Sequence, residues 1–252
     1  MAYTEDEDLQ FLFHVNDKDL DDLVYILTKD ENGNLRLTEN LSANPKYKMH
    51  YPRHSKYQEE IIEELQKFGA NSFTSILGFK KSALYRDVLI DVCSKFKVNL
   101  NKNMATHRIE EFLLFKVFAN ALNQITNEEY EDFIKLLVEE KFADFLNGTR
   151  VISKDKALVT FQEIFKESDI ESYKLTTIIV NTIFKAIFKR VLSISSNDES
   201  LVKFVRLMNG VNRMMTSSWS SIYMLGTSTK ITIPAVFYII LLRQKYNLAR
   251  RQ

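Results

Sequence analysis

The amino-acid sequence predicts an all-α protein, a multi-helix bundle with a small helical unit appended at its N-terminus. Apolar residues recur at three- and four-residue intervals along most of the chain, which is the period of an amphipathic helix. Only 6 glycines and 3 prolines occur in 252 residues, too few for the many turns of sandwiches and glycine-rich sheets. Long helices with few connections around a substantial core are therefore expected.

The rest of the composition excludes several classes of protein. The one cysteine, Cys93, excludes a disulfide framework and a four-thiolate metal site, and it suits a reducing compartment. We expect Cys93 to be a buried, small apolar residue. The opening segment MAYTEDEDLQ is acidic, where an export signal would be basic and then apolar. These features predict a cytoplasmic protein.

The chain is predicted to divide into three units. Residues 1–50 form a short acidic helical unit, and residues 51–172 form an acidic helical domain. Residues 173–252 form basic, apolar helices that pack on the bundle or lie at a membrane surface.

The first unit is predicted to hold one helix, with Asn16 or Asp17 as its N-cap. Asn32-Gly33 is a typical turn sequence after it. We expect residues 41–54 to be an ordered connection rather than a helix, because they hold two prolines. The residues at helical spacing in this unit are Leu20, Leu23, Val24 and Leu27.

The second unit is predicted to hold successive helices with identifiable ends. Ser55 is the predicted N-cap of the first helix, and Gly69 is predicted just past its end. Further helices are predicted over residues 82–98, 105–125, 126–146 and about 155–167. Capping boxes are predicted at Thr126 with Glu129 and at Ser168 with Glu171.

The third unit carries most of the positive charge. Residues 173–252 hold 12 Lys and Arg but 2 acids, a net charge of +10, whereas the first 172 residues carry a net charge of −9. Such asymmetry favours contact with an anionic surface. The alternative is that the acidic part of the protein neutralises the basic part within one fold.

Two strongly apolar segments occur in this unit, residues 176–192 and 231–242. The second segment has 12 uncharged residues, fewer than the roughly 20 that a transmembrane helix needs. We therefore expect no simple membrane span. Two buried helices, or a hairpin between residues 214 and 240 that dips into a membrane, remain as alternatives. Pro234 is predicted in the first turn of the last helix, with Thr232 as its cap.

The sequence predicts no catalytic, cofactor-binding or metal-binding residue. His50 and His54 are four residues apart, but Pro52 lies between them and no further ligands follow. Glu110 and Glu111 are predicted on an exposed helix face, where adjacent side chains point apart and make a poor acid–base pair. No nucleotide-binding or hydrolase motif occurs. A non-enzymatic protein is favoured.

A candidate surface for a membrane or a protein partner is predicted in the basic unit. Its bases lie among Ile, Val and Phe rather than among exposed aromatic residues, so nucleic acid is a less favoured partner than lipid or protein. A soluble enzyme, with a pocket built from residues distant in sequence, is the alternative function. The residues of the predicted surface are Lys185, Lys189, Arg190, Trp219, Lys230, Arg243, Lys245, Arg250 and Arg251.

Several blocks of sequence carry a resemblance to a known family. They are DEDLQFLFHVNDKDLDDLVYILTKDENGNLRLTENL, EIIEELQKFGANSF, LYRDVLIDVCSKFKVNLNK, SYKLTTIIVNTIFKAIFKRVLS and KITIPAVFYIILLRQK. In these blocks the chain resembles the YaaW family of uncharacterised bacterial proteins. The family's short N-terminal domain also occurs beside domains similar to the ubiquinol–cytochrome c chaperone family. The resemblance implies an assembly or chaperone-like role with a protein client, and it implies no active-site residues. The basic, apolar segment predicts that this role is carried out at or near a membrane, peripherally at the inner membrane.

Overall fold

The computed structural model describes residues 3–73, 82–101, 103–139, 153–167, 169–193 and 228–251. Within these ranges the protein is built of helices, as predicted, and contains no strand longer than one bridge, between Lys29 and Leu35. The α-helices are α1 (Asp17–Thr28), α2 (Pro45–His50), α3 (Gln58–Phe73), α4 (Tyr85–Lys95), α5 (Thr106–Gln124), α6 (Asn127–Glu139), α7 (Lys154–Glu167), α8 (Ile170–Phe188) and α9 (Thr229–Ala249). Short 3-10 helices cover Glu7–His14, Leu41–Ala43 and His54–Lys56.

The last helix, α9, lies at the centre of the fold. Residues 231–242 are buried on every side, and α9 packs against α1, α3, α4, α8 and the first 3-10 helix. A helix that is apolar all round is stable only when it is surrounded. Residues 231–242 are therefore buried within the protein, and residues 214–227 of the alternative hairpin lie outside the described residues. Among the described residues no helix combines the length and the apolarity that crossing a bilayer requires.

The start of α9 differs from the prediction. The helix begins at Thr229, so Thr232 and Pro234 lie inside it rather than at its N-terminus. Pro234 is the sixth helical residue, where its missing N–H leaves one carbonyl without the usual helical donor. Packing against neighbouring helices on all sides stabilises α9 despite this lost hydrogen bond.

The N-terminal unit follows the predicted caps but holds an additional helix. The Asn16 side chain caps α1 by accepting from the Asp19 amide at 2.9 Å. Gly33 adopts a positive φ of 80° in the predicted turn. The prediction of a connection over residues 41–54 was wrong, because Asn44 caps a short helix, α2, and Pro45 occupies its first position. Proline is favoured there, since the first helical N–H has no partner within the helix.

Two helix ends in the middle of the chain also differ from the prediction. Ser55 lies in the 3-10 helix before α3, so it is not the N-cap of α3, which begins at Gln58. The predicted capping box of Thr126 and Glu129 is confirmed, with both reciprocal hydrogen bonds present. Asp169 caps α8 through the Ser172 amide, and the predicted cap Ser168 lies outside the described residues.

Gly69 was wrongly predicted to follow α3; it lies within that helix, where α4 crosses it. A Cβ added to Gly69 would lie 2.4 Å from the Val88 Cγ2 atom and 3.1 Å from the Ala83 Cβ atom. The absence of a side chain therefore permits the close approach of α3 and α4, which outweighs the low helix propensity of glycine.

One core joins the three predicted units. Leu23, Leu65 and Ile239 come from the first, second and third units, and they belong to the same cluster of buried apolar side chains. Cys93 is buried, as predicted, and burial raises the pKa of its thiol to about 12. The boundaries at residues 50 and 172 stay predictions.

We expect Gly69→Ala to destabilise the protein by about 1–3 kcal/mol in urea unfolding, because overpacking outweighs the gain in helix propensity. Val88→Ala removes the Cγ2 atom that the new methyl group would meet. The double variant should therefore lose less stability than the sum of the two single losses. Additive losses would contradict the close approach at Gly69.

Candidate functional site

The predicted basic surface divides between the two ends of the α8–α9 pair. The Gln244 side chain of α9 donates to the Ser172 hydroxyl near the start of α8, at 3.2 Å. Lys189 lies at the other end of α8, about 25 Å along the axis at 1.5 Å per residue. The predicted residues at the end of α8 are Lys185, Lys189 and Arg190, and those at the end of α9 are Arg243, Lys245, Arg250 and Arg251.

The other two predicted residues belong to neither group. Lys230 is the second residue of α9 and is half-buried. Trp219 lies outside the described residues.

Aromatic side chains organise the end of α8. The Arg190 guanidinium lies 4.3 Å from the centre of the Tyr25 ring and 3.7 Å from an Asp22 carboxylate oxygen. Tyr25 also contacts the rings of Phe184 and Phe188, which α8 contributes one turn apart. Arg190 is therefore positioned by α1 rather than projecting fully into solvent.

A loop from the N-terminal unit reaches the same end of the molecule. The Arg36 guanidinium lies 5.9 Å from the centre of the Phe188 ring, and burial lowers the pKa of Arg36. Leu35 and Leu37 lie on either side of Arg36. Leu35 is 50% exposed, and Leu37 is completely exposed. Val191, just beyond α8, is 48% exposed. We call Lys185, Lys189, Arg190, Val191, Leu35, Arg36 and Leu37 the α8-end surface.

Two cations of α9, Arg243 and Lys245, form ion pairs within the protein. Arg243 is 17% exposed, and its Nε atom lies 3.0 Å from a Glu110 carboxylate oxygen. It also donates to the Asp8 carbonyl at 2.7 Å. Lys245 donates to both carboxylate oxygens of Asp19 at 2.7 Å. Arg243 is therefore largely covered by its buried acidic partner, and its role in a membrane or partner surface stays a prediction.

Glu110 is the centre of a buried polar cluster. The Tyr85 hydroxyl donates to the Glu110 carboxylate at 2.7 Å, while Arg243 donates from the other side. Burial raises the pKa of the Glu110 carboxyl, and the Arg243 guanidinium opposes that rise. Burial also raises the pKa of Tyr85, so its phenol remains a donor. The cluster joins α4, α5 and α9.

Hydrogen bonds connect the first 3-10 helix and its N-cap to the same cluster. Asp6 accepts from the Tyr85 amide at 2.6 Å, and Asp8 accepts from the Thr106 hydroxyl at 2.9 Å. Burial raises the pKa of the Asp6 carboxyl, against the effect of the Tyr85 amide. These contacts fix the N-terminal segment to the ends of α4 and α5.

Two adjoining cavities open beside this cluster. One, of about 340 Å³, lies between α5 and α7 and is lined by Phe112, Phe115 and Phe165. The other, of about 230 Å³, lies between α5, α7 and the end of α9 and is lined by polar and charged side chains. Residues that line both cavities are Arg108, Glu111 and Lys166.

The two histidines singled out in the sequence do not come together as metal ligands. His54 is buried, and its ring contacts the Asp21 carboxylate and the Tyr57 hydroxyl. His50 lies at the end of α2. In the part of the chain that the structure describes, no group of three or more His, Cys, Asp or Glu side chains is placed to hold a metal ion.

Sequence reasoning missed the central acid of the cluster. Glu110 was predicted on an exposed face, yet it is 3% exposed. Its partner, Arg243, is 133 residues away, so no local spacing could reveal the pair. The available signal was the apolar neighbourhood, since Ile109 and Leu113 place this side of α5 in the core.

Comparison with known proteins gives relatives over nearly the whole chain. A UPF0174 protein of Helicobacter pylori strain J99 is 33% identical over 246 residues, covering 97% of this chain and 94% of the relative. The UPF0174 protein YaaW of Escherichia coli K12 is 28% identical, covering 96% and 95%. Residues 3–37 match a domain of unknown function, DUF3944. No solved structure matches the chain.

We expect Arg243→Met to destabilise the protein by about 3–5 kcal/mol, because Glu110 would keep a buried charge without its guanidinium partner. Lys245→Met is the matched control on the same helix. Its pair with Asp19 is more exposed, with 40% of the Lys245 side chain accessible, so the loss should be about 1 kcal/mol or less. Equal losses in urea unfolding would contradict the central role of the Glu110–Arg243 pair.

A second prediction concerns Asp17, which accepts from the Ser55 amide at 2.6 Å. This bond lowers the pKa of the Asp17 carboxyl, although burial opposes it. A depressed pKa contributes stability that is complete above the unfolded-state value and is lost as pH falls through the folded-state value. The stability difference between the wild type and Asp17→Asn should therefore shrink as pH falls from about 5 to about 2. A constant difference in chemical denaturation over that range would refute this.

Proposed function

The chain belongs to the UPF0174 family, and from the surface that its fold presents we propose that it is a non-enzymatic interaction protein that docks peripherally on anionic membranes. The α8-end surface is the contact region. The observation that carries the proposal is the juxtaposition of exposed cations with exposed leucines at one end of the bundle.

The cations of this surface supply the attraction. Lys185 and Lys189 are exposed and flank the buried rings of Phe184 and Phe188. A basic residue held near an anionic leaflet contributes about 1 kcal/mol, and the attraction falls off within a Debye length. Arg190 contributes less, because Asp22 already neutralises it.

The exposed apolar side chains distinguish this surface from an ordinary solvated one. Leu37 is completely exposed, and Leu35 and Val191 are about half exposed. Basic side chains beside apolar ones are typical of proteins that lie in the membrane interface. Burying these side chains among lipid acyl chains adds a contribution that salt does not screen.

The opposite end of the α8–α9 pair offers less to a membrane. Arg243 and Lys245 are held by Glu110 and Asp19, so the acidic part of the protein neutralises this part of the basic segment. Arg250 and Arg251 remain exposed there. Their separation from the α8 end makes them an internal control for the proposal.

The test is cosedimentation of the full chain with vesicles of phosphatidylcholine alone or mixed with phosphatidylglycerol. We expect binding to the anionic vesicles only, weakened by salt. Lys185→Glu with Lys189→Glu should weaken binding by at least about thirtyfold at low salt, the equivalent of two lost contacts. Leu37→Ser should weaken binding at high salt as well.

The matched control is Arg250→Glu with Arg251→Glu, which reverses two charges of the same basic segment at the other end. It should leave binding within about twofold, since these residues follow Lys245 at the C-terminus of α9 and are not part of the α8-end surface. Absence of binding to anionic vesicles, or equal losses from the two double variants, would overturn the proposal in favour of a protein client.

A further inference from the structure

The apolar cavity between α5 and α7 has the character of a small-molecule site. Phe112, Phe115 and Phe165 line it, and its volume of about 340 Å³ falls within the range of ligand pockets, roughly 300–1,000 Å³. Phe112 is 40% exposed and forms part of the apolar wall. An elongated apolar group would cover this surface.

The adjoining polar cavity extends this site towards α9. It is lined by four cations and three acids, a net charge of +1 with His107 neutral. The Arg243–Glu110 pair cancels internally. The rest of the lining holds three cations, Arg108, Lys166 and Arg251, and two acids, Glu111 and Glu167.

Arg108 and Lys166 stand where the two cavities meet. Each pairs with an acid on its own helix, Arg108 with Glu111 at 2.7 Å and Lys166 with Glu163 at 2.5 Å. The Lys166–Glu163 pair is exposed on both sides, and such surface pairs contribute little to stability, so Lys166 can turn to an incoming anion at small cost. Arg108 is nearly half exposed but its partner Glu111 is only 12% exposed, so an anion at Arg108 would share this cation with Glu111.

The wall of the polar cavity also includes Gln244. This residue is buried, and its Nε2 atom donates to the Ser172 hydroxyl, which fixes the side chain between α8 and α9.

We propose that the two cavities together bind a single-chain anionic amphiphile. The acyl chain lies between α5 and α7 against the three phenylalanines, and the anionic head lies between Arg108 and Lys166. A fatty acid and a lysophospholipid share this chemistry. The site is separate from the α8-end surface.

The test is isothermal titration calorimetry of the full chain with four probes below their micelle concentrations. Dodecanoate and dodecanoyl-lysophosphatidate represent the two sources, and dodecanol and dodecylammonium test the head group. We expect both anions to bind at least about tenfold more tightly than dodecylammonium, because Arg108 and Lys166 donate charge-assisted hydrogen bonds to a negative head and repel a positive one. Tighter binding of the lysophosphatidate would identify the hydroxyl-bearing source, and tighter binding of dodecanoate the fatty acid.

Two variants examine the two parts of the site. Lys166→Glu should weaken dodecanoate binding by at least about tenfold and leave dodecanol binding within about twofold. Lys156→Glu, an exposed position of the same helix outside both cavities, should change neither. Phe112→Ser should weaken both, because it removes apolar contact area.

Circular dichroism of each variant confirms that the fold is retained. Binding of dodecylammonium as tight as that of dodecanoate, equal effects of Lys166→Glu and Lys156→Glu, or no binding of any anion would overturn the proposal. Lys166→Glu should leave sedimentation with anionic vesicles unchanged, so failure of this site and failure of the membrane proposal are distinguishable.

Discussion

Burial of α9 is the constraint on which the rest of the structure depends. Residues 231–242 have no polar face, so every direction around the helix requires an apolar partner. Helices α1, α3, α4 and α8 supply those partners, although they come from all three predicted units. The buried polar side chains of α9 likewise require partners within the protein. The Tyr238 hydroxyl donates to the Asp19 carbonyl at 2.8 Å, and the charge of Arg243 is met by Glu110.

The all-α fold and several helix ends could be predicted from the sequence, because they depend on local chemistry. Asn16, Thr126 and Glu129 cap helices through neighbours three residues away, which spacing alone reveals. The errors occur where tertiary contacts override local preference. Gly69 continues a helix because α4 needs room beside it, and Pro234 is tolerated inside α9 because the surrounding helices stabilise it.

The candidate sites were less predictable than the fold. The charge asymmetry predicted a candidate surface in residues 173–252. It could not show which cations of that segment form ion pairs within the protein. In the structure Arg243 and Lys245 meet acids of the N-terminal parts of the chain. Lys185 and Lys189 are exposed on α8, about 20 Å and 25 Å along the helix axis from Ser172. The cavities beside α5 and α7 were beyond sequence reasoning, since their walls come from three helices far apart in the chain.

The position of α9 in the chain has a consequence for biosynthesis. A ribosome makes α9 after all the helices that surround it, so α1, α3 and α4 leave the exit tunnel before their central partner exists. Their apolar faces stay open to water for the whole interval of translation that separates them from Thr229. The contacts that close the core, such as that between Asp19 and Tyr238, span 219 residues. Folding of this protein is therefore late, and a nascent chain that stalls before α9 exposes the surfaces that promote aggregation.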